Sequence, residues 1–187
     1  GHEDHIGALT YIWPNLKINI YTTPFTGALI KEKFKEKKIN IDDYLKIIPL
    51  NGKIELNFLK INLVSLTHSI LEPNALLIEY DGKKIFHTGD WKCDLDPMMG
   101  DNINEKKLKE IGNQGILAMI CDSTNIFTEG RSGSEKDVKE SMLSIFEKQS
   151  SRIIVTTFAS NAARMQTVFQ CAEKVGHHVS LVGRSMY

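Results

Sequence analysis

Cysteine is scarce in this chain. The three present, Cys93, Cys121 and Cys171, are far apart and odd in number, and none forms a C-x-x-C pair. A disulfide framework is therefore not expected, and a reduced, cytoplasmic thiol state is. Net charge is missing too: 23 Lys and Arg balance 23 Asp and Glu. No global attraction to nucleic acid follows from that, although a basic groove can sit on a neutral protein. No run approaches the roughly 18 apolar residues of a membrane span, so no membrane partner is expected, and no signal peptide is visible. What is there is ordinary for a globular protein, with 42% hydrophobic and 25% charged residues. A length of 187 residues suffices for one domain plus part of another.

Hydrophobic periodicity predicts mixed α/β structure. Residues 6–13 read as a short helix stopped by Pro14, and 17–21 alternate like a strand. A helix is expected from Pro24 to about Lys38, with proline in its first turn and five lysines towards its end. Those lysines read as a solvated helix face. Between 46 and 66 the pattern is β, with a turn at Asn51-Gly52. Residues 74–80 and 84–87 flank Asp81-Gly82, a pair suited to a two-residue primed turn. Residues 104–111 read as a helix and 116–121 as a fully buried strand, with Cys121 a small buried hydrophobe. A Thr-, Gly- and Ser-rich loop (124–134) then leads to a helix at 135–149. After it comes a β-α-β alternation: strand 153–157, helix 161–175 and strand 179–182. A domain boundary is placed near residue 130.

The densest chemistry lies in Gly1-His2-Glu3-Asp4-His5-Ile6-Gly7. Two imidazoles and a carboxylate this close are costly to desolvate unless something holds them, and a divalent cation is the obvious candidate. His68 ends a β segment in Thr67-His68-Ser69-Ile70, and Asp90 ends another in His87-Thr88-Gly89-Asp90-Trp91. Strand ends are where a sheet aims ligands at a common point. Imidazole with carboxylate suits zinc, and manganese where oxygen ligands are numerous. Taken singly, His68 also reads as a satisfied core histidine and Asp90 as a turn residue. His87 is read as a hydrogen-bonding support for the site. His177 and His178, adjacent in an extended segment, point to opposite faces and are read as surface.

These residues in this order resemble the metallo-β-lactamase superfamily, whose metal motif is H-x-H-x-D-H followed by a distant His and then an Asp. His2, Asp4 and His5 match the later positions of that motif. Its first histidine would fall just before residue 1, which implies a fragment. Gly-His-Glu-Asp-His-Ile-Gly, Thr-His-Ser-Ile, His-Thr-Gly-Asp-Trp-Lys, Cys-Asp-Ser-Thr-Asn, Thr-Phe-Ala-Ser-Asn-Ala-Ala-Arg and Val-Gly-Arg-Ser-Met are similar to successive motifs of the ribonuclease J family, in the β-CASP branch. One departure is Leu71-Glu72-Pro73 after Ser69-Ile70, where the family more often has proline directly.

The resemblance implies a partial αββα sandwich over residues 1–129 and the beginning of an inserted β-CASP α/β domain over 130–187. It implies two Zn2+ ions, with Mn2+ an alternative: His2 and His68 would hold one, Asp4 and His5 the other, with Asp90 bridging. Asp122 would support a downstream histidine near the leaving group; from the residues alone it reads equally as a turn. Ala159, Ser160 and Asn161, between a strand and a helix, would seat a substrate phosphate, with Arg164 and Arg184 as further phosphate contacts. Without the resemblance, Ser160 or Asn161 is an ordinary helix cap and Arg164 a partner for a surface carboxylate. The implied activity is metal-dependent hydrolysis of single-stranded RNA, combining 5′-to-3′ exonuclease and endonuclease action in RNA processing and decay. The parent would be a homodimer or homotetramer, and this piece alone would be inactive. Two rivals stay open: another hydrolase of the same fold acting on small esters or thiolesters, and a non-catalytic RNA-binding paralogue.

Overall fold

The computed structural model describes residues 1–183 and Met186, so Arg184 lies outside the described residues. The chain begins with helices α1 (Glu3–Ile6) and α2 (Leu9–Leu16), then strand β1 (Ile20–Thr22), helix α3 (Pro24–Glu36) and strand β2 (Leu45–Ile47). β2 lies parallel to β1, with Ile20 opposite Leu45 and Thr22 opposite Ile47. The second sheet runs β3 (Lys53–Leu56), β4 (Leu59–Ser65), β5 (Asn74–Tyr80) and β6 (Lys83–His87) as an antiparallel meander. Strand β7 (Ala118–Ile120) adds to β6 in parallel after helix α4 (Glu105–Gly112). Helices α5 (Glu135–Glu147) and α6 (Ala162–Lys174) pack on each other. The architecture is the α/β mixture expected from the sequence.

Local chemistry explains most of these elements. Pro24 presets the first turn of α3, and Gly27, Ile30 and Phe34 fall on one face and are buried. They meet Trp13, Ile41 and Leu45 in one core; the Trp13 ring stands edge-on to Phe34 and Tyr44 at centroid separations of 5.6 and 5.1 Å. Asp81 and Gly82 both take positive φ, 48° and 70°, as a primed hairpin turn requires. The inward residues of the meander, among them Val64, Ala75, Leu77 and Phe86, are covered by Ile103 and Ile111. Helix α5 opens on a capping box between Ser134 and Asp137. The α5–α6 pair has its own small core of Phe146, Cys171 and Ala172.

Several expectations are corrected. Pro14 lies inside α2, which continues to Leu16. A proline deprives the helix of one donor, and here the chain leaves the helix only at Lys17, in the left-handed conformation with its N–H on Trp13 O at 2.8 Å. Strand β1 is shorter and later than the alternation suggested. The β run from 53 is divided by a tight turn at Asn57-Phe58 that joins β3 to β4. The 116–121 segment is a strand only at its centre, and it is exposed: Leu117 is 67% and Met119 58% accessible, and Cys121 is exposed too. Burial depends on the layers laid over a strand, and β7 is the edge of its sheet. Residues 153–157 and 179–182 form no ladder among the described residues, because apolar β-propensity does not supply a hydrogen-bonding neighbour.

The Phe34 side chain is 1% exposed. Phe34→Ala is expected to destabilise the protein by about 3–5 kcal/mol in urea unfolding. A loss below about 1 kcal/mol would show that the α3 face is not the organising core.

Candidate metal centre

Three separate pieces of backbone deliver the site. The first is α1, where His2 O accepts from His5 N and Ile6 N, both at 3.1 Å, so His2 and His5 stand one helical turn apart on one face. Ile6, buried in the first core, anchors that turn. The second is the end of β4, where Thr67, 4% exposed, donates its hydroxyl to Lys92 O and places His68 beyond the sheet. The third is the end of β6. There Gly89 takes φ +60°, a conformation that favours glycine, and a Cβ would sit 3.2 Å from Asn74 O. Gly89 N donates to His87 Nδ1 at 3.0 Å, which turns the backbone so that Asp90 points back across the strand ends.

Three of the candidate ligands, His2, His5 and His68, converge on a fourth, Asp90, and the largely exposed Asp4 lies beside His5. Asp90 Oδ2 lies 2.8 Å from His5 Nε2, 3.7 Å from His2 Nδ1 and 3.9 Å from His68 Nε2. Asp4 Oδ2 lies 3.5 Å from His5 Nε2. The rings of His2 and His68 meet edge-on at 5.0 Å, and Ser69 Oγ lies 3.3 Å from His2 Nε2. His2, His5 and Asp90 each offer a ligand atom within 4.8 Å of the others. His2, His5, His68 and Asp90 line a cleft of about 340 Å³ with Thr23 and Thr26 on its wall.

Burial, and then the neighbouring His2, push His68 below the ordinary imidazole range, against the opposing pull of Asp90 and Asp122. The ring is thus held in the neutral form that ligates metals. Its Nδ1 is buried with no hydrogen-bond partner among the described residues. The other ring nitrogen, Nε2, is the one that faces Asp90 and is placed to ligate. Three imidazoles and the Asp90 carboxylate, partly exposed to one cleft, with the Asp4 carboxylate beside His5, suit a borderline divalent cation. The residues present fit such a group.

The remaining candidates divide. Asp122 N donates to Thr88 Oγ1 at 3.0 Å, so Asp122 is tied to the turn that presents Asp90. Its Oδ1 accepts from Thr124 Oγ1 at 2.6 Å and Thr124 N at 2.9 Å. The Thr124 hydroxyl is the main reason its carboxyl lies below the usual range. Asp122 is therefore both a turn-former and a neighbour of the site. Glu3 points away and pairs with Lys33 at 2.5 Å. His177 and His178 are exposed. Asn161 caps α6, accepting from Arg164 N at 2.9 Å. Ala162 and Ala163 share a crevice with His68, Ser69, Ile70 and Leu71, so Ala159, Ser160 and Asn161 lead into a helix start beside the His68 loop. Arg164 does not present a free fork: its Nε and Nη2 donate to Glu135 at 3.2 and 3.3 Å.

Three residues of this neighbourhood escaped the sequence reading. Asp94, 5% exposed, and Glu135 lie where the α5–α6 pair meets the ligand-bearing loops. Glu72 reaches back to α3, accepting from Phe25 N at 2.8 Å, and holds φ +58°. It occupies the position where the sequence departs from the ribonuclease J pattern. The Ser134 capping box marks Glu135 as a first-turn residue, but no local signal marks Asp94 as buried.

Known proteins resemble the chain as follows. Residues 150–187 match the family model described as "Ribonuclease J, beta-CASP domain". The chain is 40% identical over 185 residues to Ribonuclease J of Sinorhizobium meliloti, covering 99% of this chain and 33% of that protein. It is 36% identical over 186 residues to Ribonuclease J 1 of Streptococcus pyogenes serotype M3, covering 100% and 33%. With Ribonuclease J of Thermus thermophilus it shares 33% over 193 residues, covering 100% and 34%. The chain thus spans about a third of the length of these relatives. A crystal structure of a protein of unknown function from Enterococcus faecalis V583 aligns with a TM-score of 0.56 at 16% identity, covering 83% of this chain and 39% of that one. That likeness concerns the fold alone.

Thr124→Val removes the hydroxyl that donates to Asp122. The Asp122 carboxyl is then expected to titrate closer to the ordinary carboxylate range, measured by NMR through its side-chain carbonyl shift. An unchanged titration would mean that Thr124 does not set its acidity.

Proposed function

We propose that this chain, similar to ribonuclease J along its whole length, forms the metal-binding part of an RNA phosphodiesterase. The observation that carries this reading is the single Asp90 carboxylate oxygen faced by three imidazoles from two separate pieces of backbone, the α1 turn and the end of β4, with Asp4 alongside. His2 and His68 would hold one divalent cation and Asp4 and His5 the other, with Asp90 shared. The ions would be Zn2+, or Mn2+ given the two carboxylates. When bound, such a pair supplies a nucleophilic water at neutral pH and stabilises charge on the attacked phosphorus.

The chain's own residues do the arranging. The turn of α1 fixes His2 and His5, and Thr67 fixes His68. Gly89 and His87 aim Asp90. Asp122, held by Thr88 and Thr124, adds negative charge near His68 and is proposed as a support for the leaving-group side. Ala159, Ser160 and Asn161, at the start of α6, are proposed as the seat of a substrate phosphate through backbone N–H groups at a helix N-terminus. Arg164, paired with Glu135, is proposed to act there by holding that helix start.

The substrate proposed is single-stranded RNA, cut by 5′-to-3′ exonuclease and by endonuclease action in RNA processing and decay. The parent is proposed to be a cytoplasmic homo-oligomer; among the described residues no helix is long and apolar enough to cross a membrane. Residues 1–129 are proposed as the metal-binding core and 130–187 as the beginning of the β-CASP domain, a division supported by the separate core of α5 and α6.

The test is cleavage of 5′-monophosphorylated RNA by the full-length protein that carries this chain, with and without chelator, beside Asp90→Ala. Chelation should abolish cleavage, and Asp90→Ala should reduce it at least about 100-fold. Undiminished cleavage in either arm would sink the metal reading, whereas RNA binding without cleavage would favour a non-catalytic RNA-binding protein.

A further inference from the structure

We infer that Asp94, Glu135 and Arg164 form a positioning relay. It holds the starts of α5 and α6, and with them residues 159–161, against the loops that carry His68 and Asp90. Its consequence for RNA rests on the function proposed above.

The relay begins inside the metal centre's own scaffold. Lys92 N donates to Thr67 O at 2.8 Å, and the Thr67 hydroxyl donates back to Lys92 O, so the chain after Asp90 is clasped to the chain before His68. Asp94 N joins the clasp by donating to Thr67 Oγ1 at 3.1 Å. The Asp94 carboxylate then turns away from the cations' site. Its Oδ1 accepts from Asp96 N at 3.0 Å, and its Oδ2 accepts from Glu135 N, the first residue of α5, at 3.1 Å. A nearly buried carboxylate at a helix N-terminus is stabilised by the unpaired N–H groups there.

Glu135 passes the connection on. Its side chain is 13% exposed and takes both arms of the Arg164 guanidinium, one turn into α6. Lys92 Nζ, 3.6 Å from Asp94 Oδ2 and 3.9 Å from Glu135 Oε1, offsets the repulsion between the two carboxylates. Lys136 adds an outer strut to Asp96 at 2.8 Å. The α5–α6 cluster and the sheet cluster share no residue, and the polar contacts add direction where Ala162 and Ala163 share a crevice with Ile70 and Leu71. Directional polar contacts therefore set how the helix pair is oriented on the metal-bearing loops, and a bidentate pair fixes angle as well as distance.

The relay also accounts for Arg164. At the position expected to contact phosphate, the structure places a residue that orients the helix bearing the phosphate seat. Such a residue should affect a long substrate that needs both the metal centre and the seat, and spare a small one that needs only the metal centre.

The experiment uses the full-length protein with Glu135→Gln, which keeps the side chain's size and removes its charge; Asp94→Asn serves as a second variant. Two readouts are taken. Amide hydrogen exchange in the first turns of α5 and α6 should accelerate about tenfold while β4, β5 and β6 are unchanged. KM for a single-stranded RNA oligonucleotide should rise about tenfold, with kcat/KM for bis(4-nitrophenyl) phosphate unaltered. Unchanged exchange in both variants, or equal losses on both substrates, would overturn the relay. Should the unsubstituted protein cleave neither substrate, the nuclease reading fails, and the exchange measurement still decides the relay.

Discussion

One carboxylate oxygen ringed by three imidazoles sets the terms for this fold. Asp90 and its histidine neighbours sit in a half-covered cleft, where unpaired lone pairs and charge are costly. Such a cluster persists only if its backbone supports are firm. The supports are correspondingly redundant: a helical turn pinned by Ile6, a threonine hydroxyl clasping two loops, and a left-handed glycine backed by a histidine acceptor. None of these devices is itself a candidate ligand. Each removes freedom from a residue that is.

The two sheets contribute differently. The five-stranded sheet supplies rigid ends from which His68 and Asp90 project, since β4 and β6 both flank β5 and finish at the same rim. Strand β1, with the start of α3, walls the cleft, and Glu72 ties the loop after His68 to the start of α3. A residue at positive φ that also ends a neighbouring helix is strained locally and compensated by that contact. This gives Glu72 a structural role within Leu71-Glu72-Pro73, one segment at which the sequence departs from the ribonuclease J pattern.

What the sequence disclosed followed the range of the interactions involved. His2 and His5 were legible because their spacing is one turn and their chemistry is hard to explain otherwise. The Asp81-Gly82 hairpin and the Ser134 cap were legible because turn and cap preferences are local. The five candidate ligands could be grouped only once the chain order was set beside a family pattern, since nothing local joins residue 5 to residue 90. The exposed face of β7 and the missing ladder at 153–157 were not legible, because an apolar run states a preference for burial without stating what lies over it. Asp94 was hidden for the same reason. A buried carboxylate needs a partner, and its partner's amide lies 41 residues away. Pro14 misled because a helix can forgo one donor when its final turn closes elsewhere.

The apolar rim at β7 has a practical consequence. Met119 and Ile120, with Leu117 just before them, stand on or beside an outermost strand whose second row of N–H and C=O groups has no neighbouring strand among the described residues. Such a rim welcomes any extended segment that drifts past, including another molecule's. Concentrating these 187 residues in isolation would therefore invite sticking along that rim, and a charged residue grafted at Met119 would be the simplest way to keep preparations clear.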